Sequence, residues 1–383
     1  MRRSLLVAAA ALAVVAGLNA QPTPASPRFQ IGIFDDGQTL FNGERAFPLF
    51  TQLRVQVLRI SLRWGGTNGV ALRRPTRAAD PADPAYDWRA YDAAVERAKS
   101  AGIEVVFSIV GTPRWANGGA GFNRVPSSFE DLRKFAYAAA LRYSGTYEAT
   151  EQRFLPAVRR WLAWNEPNNP VYLKPQLVRA EGRVVYRSAI DYARICNAIY
   201  AGVHGTLLAG EKVACGVTAP RGNNDASSSR PSVSPLAFLR AAKKAGMARF
   251  DAYAHHPYYG FRTETPRTVP HKPANGRQAT AITLGNIQAL VDEVTRLYGQ
   301  KRLWITEYGY QTNPPDVFFG VSWNLQASYL KQAFALARAH PRIDLMLWFL
   351  LQDEPAVSGW QSGLYTVRGQ QKPAFRAYQS LRR

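Results

Sequence analysis

The chain has 383 residues, of which 46% are hydrophobic and 12% aromatic, enough to bury a large core and too apolar for an intrinsically disordered chain. Its 48 Lys and Arg outnumber 27 Asp and Glu, giving a formal net charge of +21. Such a charge steers a protein toward anionic surfaces. The basic residues are scattered and no nucleic-acid motif accompanies them, which sets nucleic acid aside and leaves two meanings: an acidic envelope polysaccharide as partner, or an Arg-rich soluble surface.

In chain order, Arg2 and Arg3 precede an apolar run at 5–18, small residues surround Ala20, and 21–27 is rich in proline. This is the layout of a secretory signal peptide over 1–20 followed by a linker over 21–27. The apolar run falls short of the roughly 20 residues that span a bilayer, so cleavage and export by the Sec route are expected rather than a retained anchor.

From 28 to 383 the pattern is that of one domain. Apolar, β-branched runs recur at 29–34, 55–62, 103–110, 160–164, 212–217, 250–254, 302–306 and 343–350. Amphipathic stretches with a 3.6-residue period lie between most of them, at 91–101, 129–143, 189–208, 235–245, 284–298 and 325–339. Alternating strands and helices predict βα units and a parallel sheet, and eight units predict closure into an α/β (β/α)₈ TIM barrel. An open doubly wound sheet is the rival, but no Gly-rich phosphate loop follows any strand. The longest connections, 67–87, 165–188, 221–234 and 260–280, each follow a strand and belong on the catalytic face of such a barrel. Cys196 lies in a helical stretch and Cys215 in the next strand. A disulfide and two buried free thiols both fit, whereas a metal site or a catalytic role does not.

The chemistry concentrates in Trp164-Asn165-Glu166-Pro167-Asn168 and Trp304-Ile305-Thr306-Glu307-Tyr308-Gly309, which end the fourth and seventh runs. A carboxylate at the end of a buried strand is costly to desolvate without donors, a partner charge or a proton. Two of them can supply a proton to a glycosidic oxygen and negative charge opposite an oxocarbenium-like carbon. Glu166, beside the Asn165 amide, is read as general acid/base, and Glu307 as nucleophile. Arg59 in the second run and Tyr258 after the sixth are the expected donors that keep Glu307 ionised, while desolvation raises the proton affinity of Glu166. Strand alternation sends His255 and His256 to opposite faces, with His255 the core residue. Trp64, Trp115, Trp323, Trp348 and Trp360 are candidate sugar platforms.

With these residues in view, the chain resembles the retaining glycoside hydrolases of the large clan built on the (β/α)₈ barrel, over essentially the whole mature chain. In that clan Asn-Glu-Pro ends the fourth strand and a second glutamate ends the seventh, positions that Asn165, Glu166 and Glu307 match. An Arg on the second strand, a His-x-Tyr on the sixth and a Trp on the eighth are matched by Arg59, His256 with Tyr258, and Trp348. Thr112-Pro113-Arg114-Trp115-Ala116 and His256-Pro257-Tyr258 resemble the family containing β-xylosidases, α-L-iduronidases and exopolysaccharide hydrolases. The third-strand His of cellulase-like members is replaced by Gly111-Thr112-Pro113. The resemblance implies a retaining, double-displacement hydrolase of β-linked sugars, with Arg59, Asn165, His256, Tyr258, Trp348 and Trp115 around the substrate. It calls for no metal or organic cofactor. The expected partner is a carbohydrate acted on by a monomer, with no nucleic acid and no membrane insertion once the leader is gone. A non-catalytic carbohydrate-binding barrel and a transglycosylase with the same residues are the alternatives.

Overall fold

The computed structural model describes residues 29–271 and 281–382. The expected signal peptide and linker lie outside these residues, as does part of the 260–280 connection. Eight parallel strands close into a barrel: β1 (Gln30–Phe34), β2 (Val57–Arg63), β3 (Glu104–Val110), β4 (Arg160–Ala163), β5 (Lys212–Thr218), β6 (Ala252–His255), β7 (Arg302–Tyr308) and β8 (Ile343–Phe349), each paired with its sequence neighbours and β8 with β1. Eight helices surround them: α1 (Gly43–Gln52), α2 (Arg89–Ser100), α3 (Phe129–Arg142), α4 (Arg187–His204), α5 (Pro235–Lys244), α6 (Ile287–Tyr298), α7 (Trp323–Ala339) and α8 (Pro373–Gln379). The expected single-domain (β/α)₈ barrel is what forms.

Each helix pays its ordering entropy by burying one stripe. In α6 that stripe is Ile287, Leu290, Val291 and Val294, at i, i+3, i+4 and i+7. Each such side chain contributes on the order of 1.5–3 kcal/mol when fully buried. The helix stops at Gly299, whose φ of 77° is left-handed backbone that glycine adopts without strain. Two helices were not expected from periodicity. Helix α1 carries Pro48 in its interior, which reads as a break, and α8 is only seven residues long. Two small hairpins, Glu148–Thr150 with Arg153–Phe154 and Val178–Ala180 with Arg183–Val185, decorate the loops beside β4.

The pleat sorts side chains into two cores. Val57, Val106, Leu162, Ala214, Ala254, Trp304, Leu345 and Leu347 fill the barrel. Leu58, Ile60, Trp161, Tyr253, Ile305 and Met346, one residue out of phase, pack under the helices. Arg59 shares the phase of Val57 and therefore enters the barrel.

Two irregularities break this phase at the C-terminal mouth of the barrel. Between β7 and β8, Ile305 pairs with Met346 but Tyr308 pairs with Trp348, so β7 carries one extra residue there. Between β5 and β6, Gly216 and Thr218 pair with the consecutive Ala254 and His255, so β5 bulges at Val217.

Cys196 of α4 and Cys215 of β5 form a disulfide, with Cα atoms 5.9 Å apart. By chain entropy a bridge between residues 19 apart stabilises by about 3 kcal/mol. Cys196→Ala/Cys215→Ala is expected to lose roughly that much in denaturant unfolding. An unchanged midpoint would mean that the bridge is energetically silent.

Candidate active site

The extra residue in β7 does the first piece of positioning. Strict alternation after Trp304 would turn Thr306 inward and Glu307 outward with Ile305; the bulge lets both face the barrel mouth, and Tyr308 resumes the outer phase. Glu166 is positioned from the neighbouring strands. Its backbone N–H donates to the Val217 carbonyl exposed by the β5 bulge (2.8 Å). Trp164, Glu166 and Val217 have φ of 73°, 36° and 48°, left-handed conformations that cost of order 1–3 kcal/mol each and are held by the packed barrel around them.

Arg59 joins the parts. Fully buried, its Nη1 donates to Glu307 Oε1 (2.8 Å), the Thr306 carbonyl (3.2 Å) and His256 Nε2 (3.2 Å). Its Nη2 donates to Asn165 Oδ1 (2.6 Å), and the guanidinium lies 4.2 Å over the Phe34 ring. Because a guanidinium can only donate, His256 Nε2 must accept, and the Thr306 hydroxyl also donates to it (3.0 Å). The ring proton is thereby assigned to Nδ1, which donates to Glu166 Oε1 (3.1 Å) and lies 3.6 Å from Glu307 Oε2. Burial pushes His256 down to about 3, so this contact is a neutral hydrogen bond. His255 faces the other way. Its Nε2 donates to the Ile282 carbonyl (3.0 Å) and its Nδ1 accepts from the Thr218 hydroxyl (2.8 Å), making it a satisfied core residue.

The two carboxyls stand in different fields. Burial pushes Glu166 up to about 7, opposed chiefly by the Asn169 amide that donates to its Oε2 (2.9 Å). Burial raises Glu307 too, but Arg59 touches it directly and the Tyr258 hydroxyl donates to its Oε2 (3.2 Å). Glu307 is therefore the carboxyl that ionises first. Glu166, His256 and Glu307 offer atoms within 4.8 Å of one another, a spacing a metal could use. The Nδ1 proton and the Arg59 cation oppose an ion there, so the residues present do not fit one.

A cleft crosses the barrel mouth in two arms, of about 780 and 600 Å3, which share Glu166, Asn169, Arg230 and Trp360. Asn165 lines the smaller arm and Tyr258 the larger. With Asn165 Oδ1 held by Arg59, its Nδ2 is left to donate into the cleft. Arg59 and His256, expected against the substrate, stand behind the carboxyls and position them instead.

The structure does not bring Trp348 or Trp115 to the cleft. Trp348 shares the outward phase of Met346; it is fully buried and its indole N–H donates to the Ser362 carbonyl (3.0 Å). Trp115 donates to the Ala71 carbonyl (2.7 Å), meets Trp64 edge-on and is covered by Arg74, tying together the loops after β2 and β3. Of the candidate tryptophans, the one that reaches the cleft is Trp360, against Tyr258 (4.9 Å) and Phe349 (5.4 Å). Sequence reasoning passed over Asn169 and Asp35. Asp35 accepts backbone N–H groups from Gln38, Leu351 and Gln352 (3.0–3.2 Å), yet burial still pushes it up to about 7. The visible signals were an Asp-Asp pair directly after β1 and a second Asn after Glu-Pro.

No protein-family model matches the chain, and no curated protein matches it. Similar solved structures exist. A family 39 glycoside hydrolase from the gut symbiont Bacteroides cellulosilyticus is 17% identical with a TM-score of 0.61, covering 91% of this chain and 62% of its own. A glucosidase from Croceicoccus marinus is 13% identical with a TM-score of 0.64, covering 94% of this chain and 68% of its own. A β-glucosidase from Exiguobacterium marinum is 14% identical with a TM-score of 0.59, covering 92% and 97%. At these identities the likeness is one of fold, and this chain spans less than two thirds of the Bacteroides protein.

Removing Arg59 strands a buried carboxylate. Arg59→Met is expected to destabilise by about 3–5 kcal/mol near pH 8. The deficit shrinks as pH falls and Glu307, its proton affinity raised further by loss of the cation, becomes neutral. Urea unfolding at pH 5 and pH 8 checks this; an equal deficit at both would assign the loss to packing.

Proposed function

We propose that the protein is a retaining glycoside hydrolase that cleaves O-glycosidic bonds by double displacement, with Glu307 as nucleophile and Glu166 as general acid/base. The observation that carries the reading is the carboxyl pair itself, with atoms within 4.8 Å and one member paired to a permanent cation. Retaining enzymes hold their carboxyls about 5–5.5 Å apart, too close for an intervening water. Glu307 attacks the anomeric carbon while Glu166 protonates the leaving oxygen. Glu166, now ionised, then takes a proton from the water that releases the sugar. Asn165 Nδ2 is placed to donate to a sugar hydroxyl, Trp360 offers a face to a pyranose, and His256 holds Glu166 by its Nδ1 proton. The glycoside hydrolases that share this fold support the reading, as do the motifs around both glutamates.

Export belongs to the same proposal. It rests on the leader-like pattern of 1–20, and a disulfide suits an oxidising compartment. Among the described residues no helix is long and apolar enough to cross a membrane. The net positive charge favours an acidic glycan at the envelope.

Hydrolysis of a panel of β-linked polysaccharides and aryl β-glycosides tests the assignment. Glu307→Ala is expected to abolish turnover, and Glu166→Ala to lower it about 10²–10⁴-fold on poor leaving groups. Polymer binding without cleavage by the wild type would favour the carbohydrate-binding barrel. Because Glu166 must be protonated to act, kcat/KM is expected to fall as pH rises through about 7. In Glu166→Gln that alkaline limb disappears for dinitrophenyl glycosides, whose leaving group needs no proton. A limb that persists in the variant would belong to another residue.

A further inference from the structure

The two arms of the cleft are not equivalent. Glu307 lines only the smaller arm, whereas Glu166 lines both. On the double-displacement reading, the anomeric carbon rests against the nucleophile and the leaving oxygen against the acid. The arm with Glu307 then holds the glycone, and the arm beyond Glu166 holds the leaving residue. The lining charges divide along the same boundary. Asp35, Asp36, Asp353 and Glu354 line the glycone arm, Arg221 lines the other, and Arg230 stands where they meet.

Most of these charges have partners. Arg63 in the glycone arm faces Asp36 at 3.8 Å, Arg221 pairs with Glu264 at 3.2 Å, and Asp353 is bound by Lys372 at 2.7 Å. Arg230 is exposed and has no ion-pair partner among the described residues, while its charge reaches Glu166. Its placement is not loose. The Arg230 N–H donates to Ser228 Oγ (3.2 Å) and its carbonyl accepts from Asn223 Nδ2 (3.1 Å). Asn168, two residues past Glu166, clamps the same loop by donating from Nδ2 to the Val233 carbonyl (2.9 Å) and accepting the Val233 N–H at its own carbonyl (3.1 Å). The backbone that carries this cation is thus fixed to the acid/base turn, and the cation has no ion-pair partner among the described residues.

We propose that Arg230 receives an anionic substituent, a uronate carboxylate or a sulfate, on the sugar that leaves, so that the bond cut joins a glycone to an acidic residue in the larger arm. The planar guanidinium matches either anion through two parallel hydrogen bonds. The acidic glycone arm disfavours the same group on the other side of the scissile bond.

The test uses the full-length protein and matched substrate pairs: uronate-containing β-linked oligosaccharides with their carboxyl-reduced forms, and sulfated oligosaccharides with their desulfated forms. The wild type is expected to prefer the anionic member of one pair type by roughly 10- to 100-fold in kcat/KM, the scale of a charge-assisted hydrogen bond, and the preferred pair identifies the anion. In Arg230→Gln that ratio collapses toward one, and Arg230→Lys retains part of it. A merely structural role would lower both members alike and leave the ratio standing, which overturns the proposal. Calorimetric binding of the same pairs to Glu307→Gln separates this inference from the hydrolase reading on which it rests. Preferential binding of the anionic form, lost in Arg230→Gln/Glu307→Gln, supports the anionic arm even without turnover. Equal binding of both forms refutes it even if turnover of neutral glycosides is high.

Discussion

The site is organised around one buried ion pair, Arg59 with Glu307, in which Arg59 is shut off from solvent and Glu307 keeps only one face toward the cleft. Burying two charges costs several kcal/mol each, and their attraction repays that only when the geometry is good and the remaining donors are used. Here they are used to connect. The guanidinium ties β2 to the ends of β4, β6 and β7, through Asn165, His256, Thr306 and Glu307. Its obligatory role as donor also sets the histidine tautomer, so one residue fixes the charge of Glu307, the proton of His256 and the orientation of the Asn165 amide. Carboxyls of the same type so close together acquire different proton affinities because one touches this cation and the other touches only neutral donors.

The barrel was legible because its strands are buried on both faces and its helices on one, two patterns that differ in period and alternate eight times. Asn165, Glu166, Tyr258 and Glu307 were legible by their place at or near strand ends and Arg59 as a charge inside a strand run, and the structure gathers them. The tryptophans were not, because type and strand number say nothing about phase. Trp348 lies one residue out of step with Leu347 and so faces the helices, while Trp360 reaches the cleft from a loop whose path no periodicity describes. Arg230 escaped notice for a related reason. Among 48 basic residues, an arginine placed where two arms of a cleft meet is visible only once the fold is known.

Three strained backbone residues stand where the chemistry is proposed. Trp164, Glu166 and Val217 adopt left-handed φ around one hydrogen bond, the Glu166 N–H to the Val217 carbonyl. Gly216 beside it has φ 92° and lies over the Tyr253 ring, where a Cβ would come within 2.4 Å of the ring carbons. A larger residue there would push β5 outward and move the carbonyl that holds Glu166. The disulfide ends on the preceding residue, Cys215, so a covalent link to α4 backs the most strained stretch of the mouth.

The single extra residue in β7 has a consequence for how such a protein is recognised and redesigned. Deleting Thr306 would set Glu307 on the rung opposite Leu347, still facing the barrel, and leave Tyr308 opposite Trp348, but the hydroxyl that donates to His256 Nε2 would be gone. Whether this barrel presents a hydroxyl and a carboxyl side by side is thus decided by a count, the number of residues between two rungs of a ladder, rather than by any letter. An alignment gap of one residue at 306 costs almost nothing in similarity and hides the loss of that hydroxyl. Grafting the motif onto another eight-stranded frame requires transplanting the miscount along with it.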